Sequence, residues 1–290
     1  MKTFSIGGVH PHDSKISANA AIESFPIPEV AYISMGQHLG APAEPIVAPG
    51  DKVKVGQLIA NANGFISAPV HSSVSGTVKG IEIIKDLAGN PCKAVVINVE
   101  GDEWVEGVDL SDTLVSECSL EPKAIVEKIA AAGIVGMGGA TFPTQVKLSV
   151  PPGKTAEYLV INGVECEPYL TADHRVLLEY ADDVIYGLQA MIKTVNAEKG
   201  VIVIEDNKPD VIALLEEKVA GEQGIEVCVA KTKYILPPDV VFKEQGIAII
   251  PVFWQISRIT IESRVRIKVF QSTDHLQSIV FLIFNLRKFR

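Results

Sequence analysis

GIVGMGGATFPTQVKL, residues 133–148, places glycine at 133, 136, 138 and 139 and alanine at 140. A backbone so bare can approach a ligand closely, because glycine accepts positive φ and leaves its amide unshielded by a Cβ. Two phosphate motifs are excluded at once. A P-loop requires G-x-x-x-x-G-K-[ST], and the stretch has no Gly-Lys pair. The dinucleotide fingerprint G-x-G-x-x-G fails because Gly136-Met137-Gly138 is followed by Thr141 at the third glycine position. The meaning of the stretch therefore comes from its flanks.

Upstream lies SLEPKAIVEKIAAAG (119–133), which predicts a helix. Ser119 suits the N-cap, Pro122 the first turn, and Gly133 the C-terminal stop, while Ile125, Val126, Ile129 and Ala130 share one face. Downstream, YLVIN (158–162) reads as a buried strand and ADDVIYGLQAMIKTVNA as a helix. GVIVIED is then a strand, KPDVIALLEEKVAG a helix and IEVCVAK a strand. Strands alternating with helices predict a parallel sheet with helices on its faces, an α/β domain.

Loops beside such a sheet are where ligands bind. Gly136, Gly138 and Gly139 can form an anion nest, and a helix starting near Pro143 would add its dipole. Lys147, one turn on, offers a point charge for a phosphate. Each dipole contribution is only about 0.3–1 kcal/mol when exposed, so several must act together. The competing reading of the glycines is a tight turn with no ligand. YLVINGVECEPYLTADHRVLLE (158–179) adds Asn162, Glu165, Cys166 and Glu167 just past a strand's carboxyl end. Small polar groups there can reach a flavin ring and acidic groups a ribose, whereas taken alone the two glutamates read as a solvated turn.

The first hundred residues are of another kind. Residues 1–30 read as an extended arm. Residues 31–100 contain short β runs separated by PGD, GQ, NG and SG turns, in the order PGDKVKVGQLIA then SAPVHSSVSGTVKGI. This resembles the lipoyl/biotinyl-type β-sandwich, a barrel-sandwich hybrid. The turn Ala62-Asn63-Gly64-Phe65 lacks the lysine that a swinging-arm carrier needs, so a structural or docking module is expected. His10-Pro11-His12 reads as a turn rather than a metal pair, and His71 as a packing residue of the β-sandwich.

Charge and cysteine usage narrow the class. A net charge of −9 disfavours nucleic acid as a partner. Cys92, Cys118, Cys166 and Cys228 form no C-x-x-C pair, which fits a reducing compartment and supplies no iron–sulfur or zinc motif. The opening residues show no signal peptide, and a soluble cytoplasmic protein is expected. Composition breaks at residue 234. Up to Tyr234 there are 18 Lys+Arg against 31 Asp+Glu; from Ile235 there are 8 against 4, with five of the six arginines. The tail 235–290 is expected to be foreign to the rest, the product of a shifted reading frame or a truncated gene.

The two site stretches together resemble the flavin-binding, NADH-oxidising subunits of respiratory complex I and its relatives. Those carry G-x-G-G-A-G-F-P-T-G-x-K followed by N-x-D-E-x-E-P. Here Gly136-Met137-Gly138-Gly139-Ala140-Thr141-Phe142-Pro143-Thr144-Gln145-Val146-Lys147 aligns with the first and Asn162 to Pro168 with the second, with Met137 in place of the complex I arginine and Val164 in place of its aspartate. With FSIGGVHPHDSK at the start and the β-sandwich placed first, the combination over residues 1–234 looks like the C subunit of the Rnf electron transport complex.

Residues 101–118 read as an acidic linker, and the resemblance implies a Rossmann-like FMN-binding domain at 119–234. It implies that Gly136, Gly138, Gly139, Ala140, Thr144 and Lys147 surround the FMN phosphate and ribityl chain. Asn162, Glu165 and Cys166 would lie near the isoalloxazine, and Glu167 near NAD(H). The implied role is a peripheral subunit on the cytoplasmic face of the membrane, among other subunits of the Rnf complex. There it would exchange electrons between NAD(H) and, indirectly, ferredoxin. Two 4Fe-4S clusters belong to the full-length family pattern, but their cysteine motifs are absent here, so the chain alone is not expected to pass electrons onward. The alternative is a non-catalytic assembly or docking module with a vestigial nucleotide fold.

Overall fold

The computed structural model describes residues 10–86, 89–108, 110–111, 118–136, 141–165, 167–232 and 248–251 of the 290. The N-terminal half is built from β1 (Val30–Ser34), β2 (Glu44–Pro45), β3 (Lys52–Val53), β4 (Leu58–Asn61), β5 (Val70–His71), β6 (Gly76–Lys85) and β7 (Pro91–Val99). They form two antiparallel sheets, β1-β7-β6-β3 and β2-β4-β5. Between them Ile33, Met35, Val53, Ile59, Val70, Val78, Val95 and Ile97 make one buried core. Fully burying such a side chain is worth about 1.5–3 kcal/mol, enough to hold strands as short as these in register.

The C-terminal half contains α1 (Pro122–Ala131), α2 (Thr144–Lys147), β8 (Tyr158–Gly163), α3 (Ala172–Glu179), α4 (Ala181–Val195), β9 (Lys199–Glu205), α5 (Pro209–Val219), β10 (Ile225–Ala230) and β11 (Ala248–Pro251). The strands run parallel in the order β10-β9-β8-β11. Leu159, Ile161, Ile202 and Ile204 alternate onto one face, all fully buried, and pack with Leu177, Val184, Leu188 and Leu215 from the helices. The mixed α/β class expected from the alternation is therefore present.

Three local details differ from the sequence reading. Helix α1 is capped by Glu121, not Ser119, with Pro122 at the start and no side-chain cap bond. Proline's fixed φ and missing N–H make that start self-sufficient. Helix α3 is additional: nothing in ADHRVLLE announced it. Finally, Ala248–Pro251, inside the compositionally distinct tail, pairs in parallel with Leu159–Asn162. The remainder of 235–290 lies outside the described residues.

The end of α1 follows expectation. Gly133 takes φ +68, its N–H donates to Ala130 O at 3.1 Å, and Ile134 N–H donates to Ile129 O at 3.2 Å. This is a Schellman-type stop, with glycine in the left-handed position.

Candidate functional site

The glycine stretch is a loop pinched at its base. Gly136 N–H donates to Phe142 O at 2.8 Å, and Thr144 N–H donates to Ile134 O at 3.0 Å. The Gly136 amide is therefore committed to the chain itself. Gly138, Gly139 and Ala140 lie outside the described residues. Helix α2 is a single turn with Pro143 at its N-cap, so it contributes its own polar groups rather than a sustained dipole.

Those polar groups are unusual. Thr144 Oγ1 and Gln145 Oε1 are both buried without a hydrogen-bond partner among the described residues. Buried polar atoms are nearly always paired, so an unpaired pair of neighbours marks a place where something else supplies the partner. Lys147, on the same turn, is desolvated enough that its ammonium pKa falls from 10.5 to about 8. A phosphate would supply acceptors to Thr144 and a counter-charge to Lys147. The residues present fit a phosphorylated ligand.

The loop leans on the β-sandwich. Leu39 N–H donates to Thr141 O at 3.2 Å, and Gln145 Nε2 donates to Ser67 O at 3.0 Å. A Cβ on Gly133 would stand 2.3 Å from Pro69 O and 3.6 Å from His71 Nδ1. His71 thus reaches the junction between the two halves instead of packing solely inside the sandwich. Burial lowers its pKa to about 4, so it is neutral at physiological pH.

The acidic stretch sits beyond the carboxyl end of β8 and turns to different partners. Asn162 Oδ1 accepts the Val164 N–H at 3.0 Å, closing a local Asx-type turn. Glu165 is almost fully buried. Its Oε1 accepts the Asp173 and His174 N–H groups at 2.9 and 3.3 Å, so it caps α3 from eight residues upstream of its first contact. Its Oε2 meets Lys15 Nζ at 3.1 Å and Lys208 Nζ at 3.5 Å. Glu167 is exposed, and its carbonyl is held by Lys15 at 3.2 Å. Cys166 lies outside the described residues.

Around Glu165 the sequence reading missed a buried ionic cluster. Lys208 Nζ pairs with Glu205 and donates to Asn207 Oδ1 at 3.1 Å. Glu205 Oε2 accepts the Glu165 N–H at 3.2 Å. Asp173 Oδ1 is enclosed without a partner among the described residues, and burial, then the charge of Glu165, push its pKa well above the ordinary carboxylate range. A neutral Asp173 leaves two lysines against two glutamates, a balance that buried charge requires. In Glu205-Asp206-Asn207-Lys208, which looks solvated in sequence, Glu205 and Lys208 are buried while Asp206 turns to Lys231 and Thr232.

Comparison with known proteins follows the same division. The RnfC barrel sandwich hybrid domain model matches residues 2–102, and the Nuo51 FMN-binding domain model matches residues 129–237. The C subunit of the proton-translocating ferredoxin:NAD(+) oxidoreductase complex of Clostridium ljungdahlii is 46% identical over 236 residues, covering 81% of this chain and 50% of that protein. Its counterpart in the Na(+)-translocating complex of Acetobacterium woodii is 43% identical over 230 residues, covering 79% and 51%. The C subunit of the ion-translocating oxidoreductase complex of Rhodobacter capsulatus is 40% identical over 240 residues, covering 81% and 46%. The chain thus spans about half the length of these curated relatives. Among solved structures, a chain of an NAD+-reducing [NiFe]-hydrogenase in the H2-reduced state overlaps 38% of this chain and 21% of its own at 24% identity. Its TM-score of 0.35 is too low to support a conclusion. A β-sandwich of one matched kind, followed by an α/β half of the other, makes this chain a member of the RnfC family, related to the FMN-binding subunit of complex I.

Proposed function

We propose that the α/β half binds FMN and exchanges electrons with NAD(H), as part of a peripheral subunit of an ion-translocating ferredoxin:NAD+ oxidoreductase complex. The observation that carries this reading is the buried Thr144 hydroxyl, without a partner among the described residues, one turn from the desolvated Lys147 and within the segment that matches an FMN-binding domain. The strand order β10-β9-β8-β11 supports it too, being the 3-2-1-4 order of a Rossmann-like sheet. In such sheets ligands bind at the carboxyl ends near strand 1, where Asn162 and Glu165 stand.

The division of labour follows. Thr144 and Lys147 hold the phosphate, with the amides of Gly138 and Gly139 and the neighbouring Ala140 completing the cradle. Asn162 and Cys166 border the ring, and Glu165 fixes the loop that carries them. Exposed Glu167 meets the nicotinamide nucleotide. FMN, when bound, supplies the hydride and one-electron chemistry; the protein supplies placement and electrostatics. Ferredoxin and the other subunits enter through the complex, and the cytoplasmic face is the side where NAD(H) is available. No helix among the described residues is long and apolar enough to cross a membrane.

The phosphate assignment has a pH signature. Without ligand, Lys147 loses its proton around pH 8, and a bound phosphate favours the charged form. Binding above that pH must therefore take up a proton, so FMN affinity should fall as pH rises through 8. Lys147→Met should weaken binding by about 10- to 100-fold, the worth of a charged hydrogen bond, and abolish the pH dependence. Fluorescence titration of FMN across that range is the test. An unchanged affinity in the variant would remove Lys147 from the site.

A further inference from the structure

The residues preceding the β-sandwich run along the α/β half. Tyr169 N–H donates to Asp13 O at 2.9 Å, and Asn207 Nδ2 donates to Asp13 Oδ2 at 3.2 Å. The Ser17 and Thr171 hydroxyls are 2.7 Å apart, and Arg175 Nη1 donates to Ala18 O at 3.1 Å. Ile22 N–H donates to the Glu179 carboxylate at 2.9 Å. Apart from Asn207, which follows β9, all these partners fall between Tyr169 and Glu179. The extended arm is thus a strap over the loop after β8 and over α3.

Lys15 is its anchor. Its side chain is only 12% exposed. The ammonium donates to Leu170 O at 2.6 Å, Glu165 Oε2 at 3.1 Å and Glu167 O at 3.2 Å. An ammonium has three donors and no acceptor, so these three oxygens saturate it. All three belong to one loop, and Glu165 in turn caps α3.

We propose that Lys15 is a positioning residue for the flavin site, gathering the Glu165–Leu170 loop at the carboxyl end of β8 through Glu165 Oε2 and the Glu167 and Leu170 carbonyls. The proposal rests on the flavin reading, yet it concerns a residue about 150 positions away in sequence from the loop it sets. Lys208 cannot replace it. Lys208 meets the same Glu165 oxygen at the longer distance of 3.5 Å and is engaged by Glu205 and Asn207. Without Lys15 the two loop carbonyls lose a charged donor, and Glu165 Oε2 is left with the 3.5 Å contact to Lys208 while Oε1 keeps its bonds to α3.

The test uses the full chain and the variants Lys15→Met and Lys15→Arg, read by amide hydrogen exchange of residues 164–171 and by FMN affinity. Lys15→Met should speed exchange in that loop at least tenfold and weaken FMN at least tenfold, with the β-sandwich and β9–β10 exchanging as in wild type. Lys15→Arg keeps the charge, so the fold persists, but its planar fork cannot radiate to three acceptors; intermediate effects are expected. Lys218→Met removes an exposed ion pair, Lys218 Nζ to Asp182 Oδ1 at 2.6 Å, away from the loop and should change neither reading. Loop exchange unchanged in both Lys15 variants, or acceleration spread over the whole α/β half, overturns the positioning role. So does faster loop exchange with FMN affinity intact. If wild type binds no FMN while loop exchange still rises in Lys15→Met, the positioning stands and the flavin reading falls.

Discussion

Replacing Lys208 with methionine should cost the α/β half about 3–5 kcal/mol, the usual penalty for breaking a buried ion pair by deleting one partner. Lys208 is 1% exposed, the most deeply enclosed charge among the described residues. Its ammonium stands between Glu205 and Glu165, which share a hydrogen bond through the Glu165 N–H. Methionine fills much of the volume but leaves two carboxylates facing each other beside Asp173, with Lys15 as their remaining cation. One carboxylate must then stay protonated, which raises its folded pKa above the unfolded value of about 4.3. A raised carboxylate pKa contributes stability that is present at low pH and lost as pH rises toward the folded pKa. The loss should therefore be smaller at pH 5 than at pH 8 in urea unfolding followed by circular dichroism. Adding Glu205→Gln should recover a substantial part of it, because the orphaned charge is then gone. A loss under about 1 kcal/mol would mean that water already reaches the cluster.

Gly133→Val should be comparably severe, and for a separable reason. Gly133 holds φ +68, where a side chain costs about 1–2 kcal/mol and a β-branched one more. Its Cβ would also stand 2.3 Å from the Pro69 carbonyl oxygen, a backbone atom that cannot swing aside. The two halves must part there, endangering the Gln145–Ser67 and Leu39–Thr141 bonds that bracket the glycine loop. We expect a total loss of about 3–4 kcal/mol, combining backbone strain with the clash, and new protease cleavage near residues 133–145. Gly153→Ala provides the contrast: φ +76 with nothing within 4 Å of the added Cβ. It should show backbone strain alone, about 1 kcal/mol. Equal effects at the two positions would remove the domain junction from the explanation.

The α/β alternation was legible because YLVIN and GVIVIED are short continuous apolar runs, as strands of a covered parallel sheet are, set between segments whose apolar residues recur at helical spacing. Gly133 as a helix stop was legible because the left-handed position selects glycine chemically. What escaped depends on contacts distant in sequence. Helix α3 lacks a local cap, as Thr171 makes no side-chain cap bond, and instead borrows Glu165 from the preceding loop. Lys15 and Lys208 look like solvent lysines, since charge alone does not reveal a buried partner from another segment. In the candidate site, Lys147 was named from its spacing and Thr144 from the family resemblance, whereas the commitment of Gly136 to Phe142 and the inward turn of Glu165 required coordinates. Strand β11 defied its composition, because backbone pairing to β8 needs no particular side chains.

The most direct measurement is anaerobic titration of the FMN-loaded chain with NADH, followed in the flavin absorbance band. The chain should retain one FMN after desalting, and NADH should bleach it fully at about one equivalent. Failure to retain FMN, or bound FMN that stays oxidised in excess NADH, would contradict the proposal that the α/β half is a flavin site open to NAD(H) and would favour an assembly module.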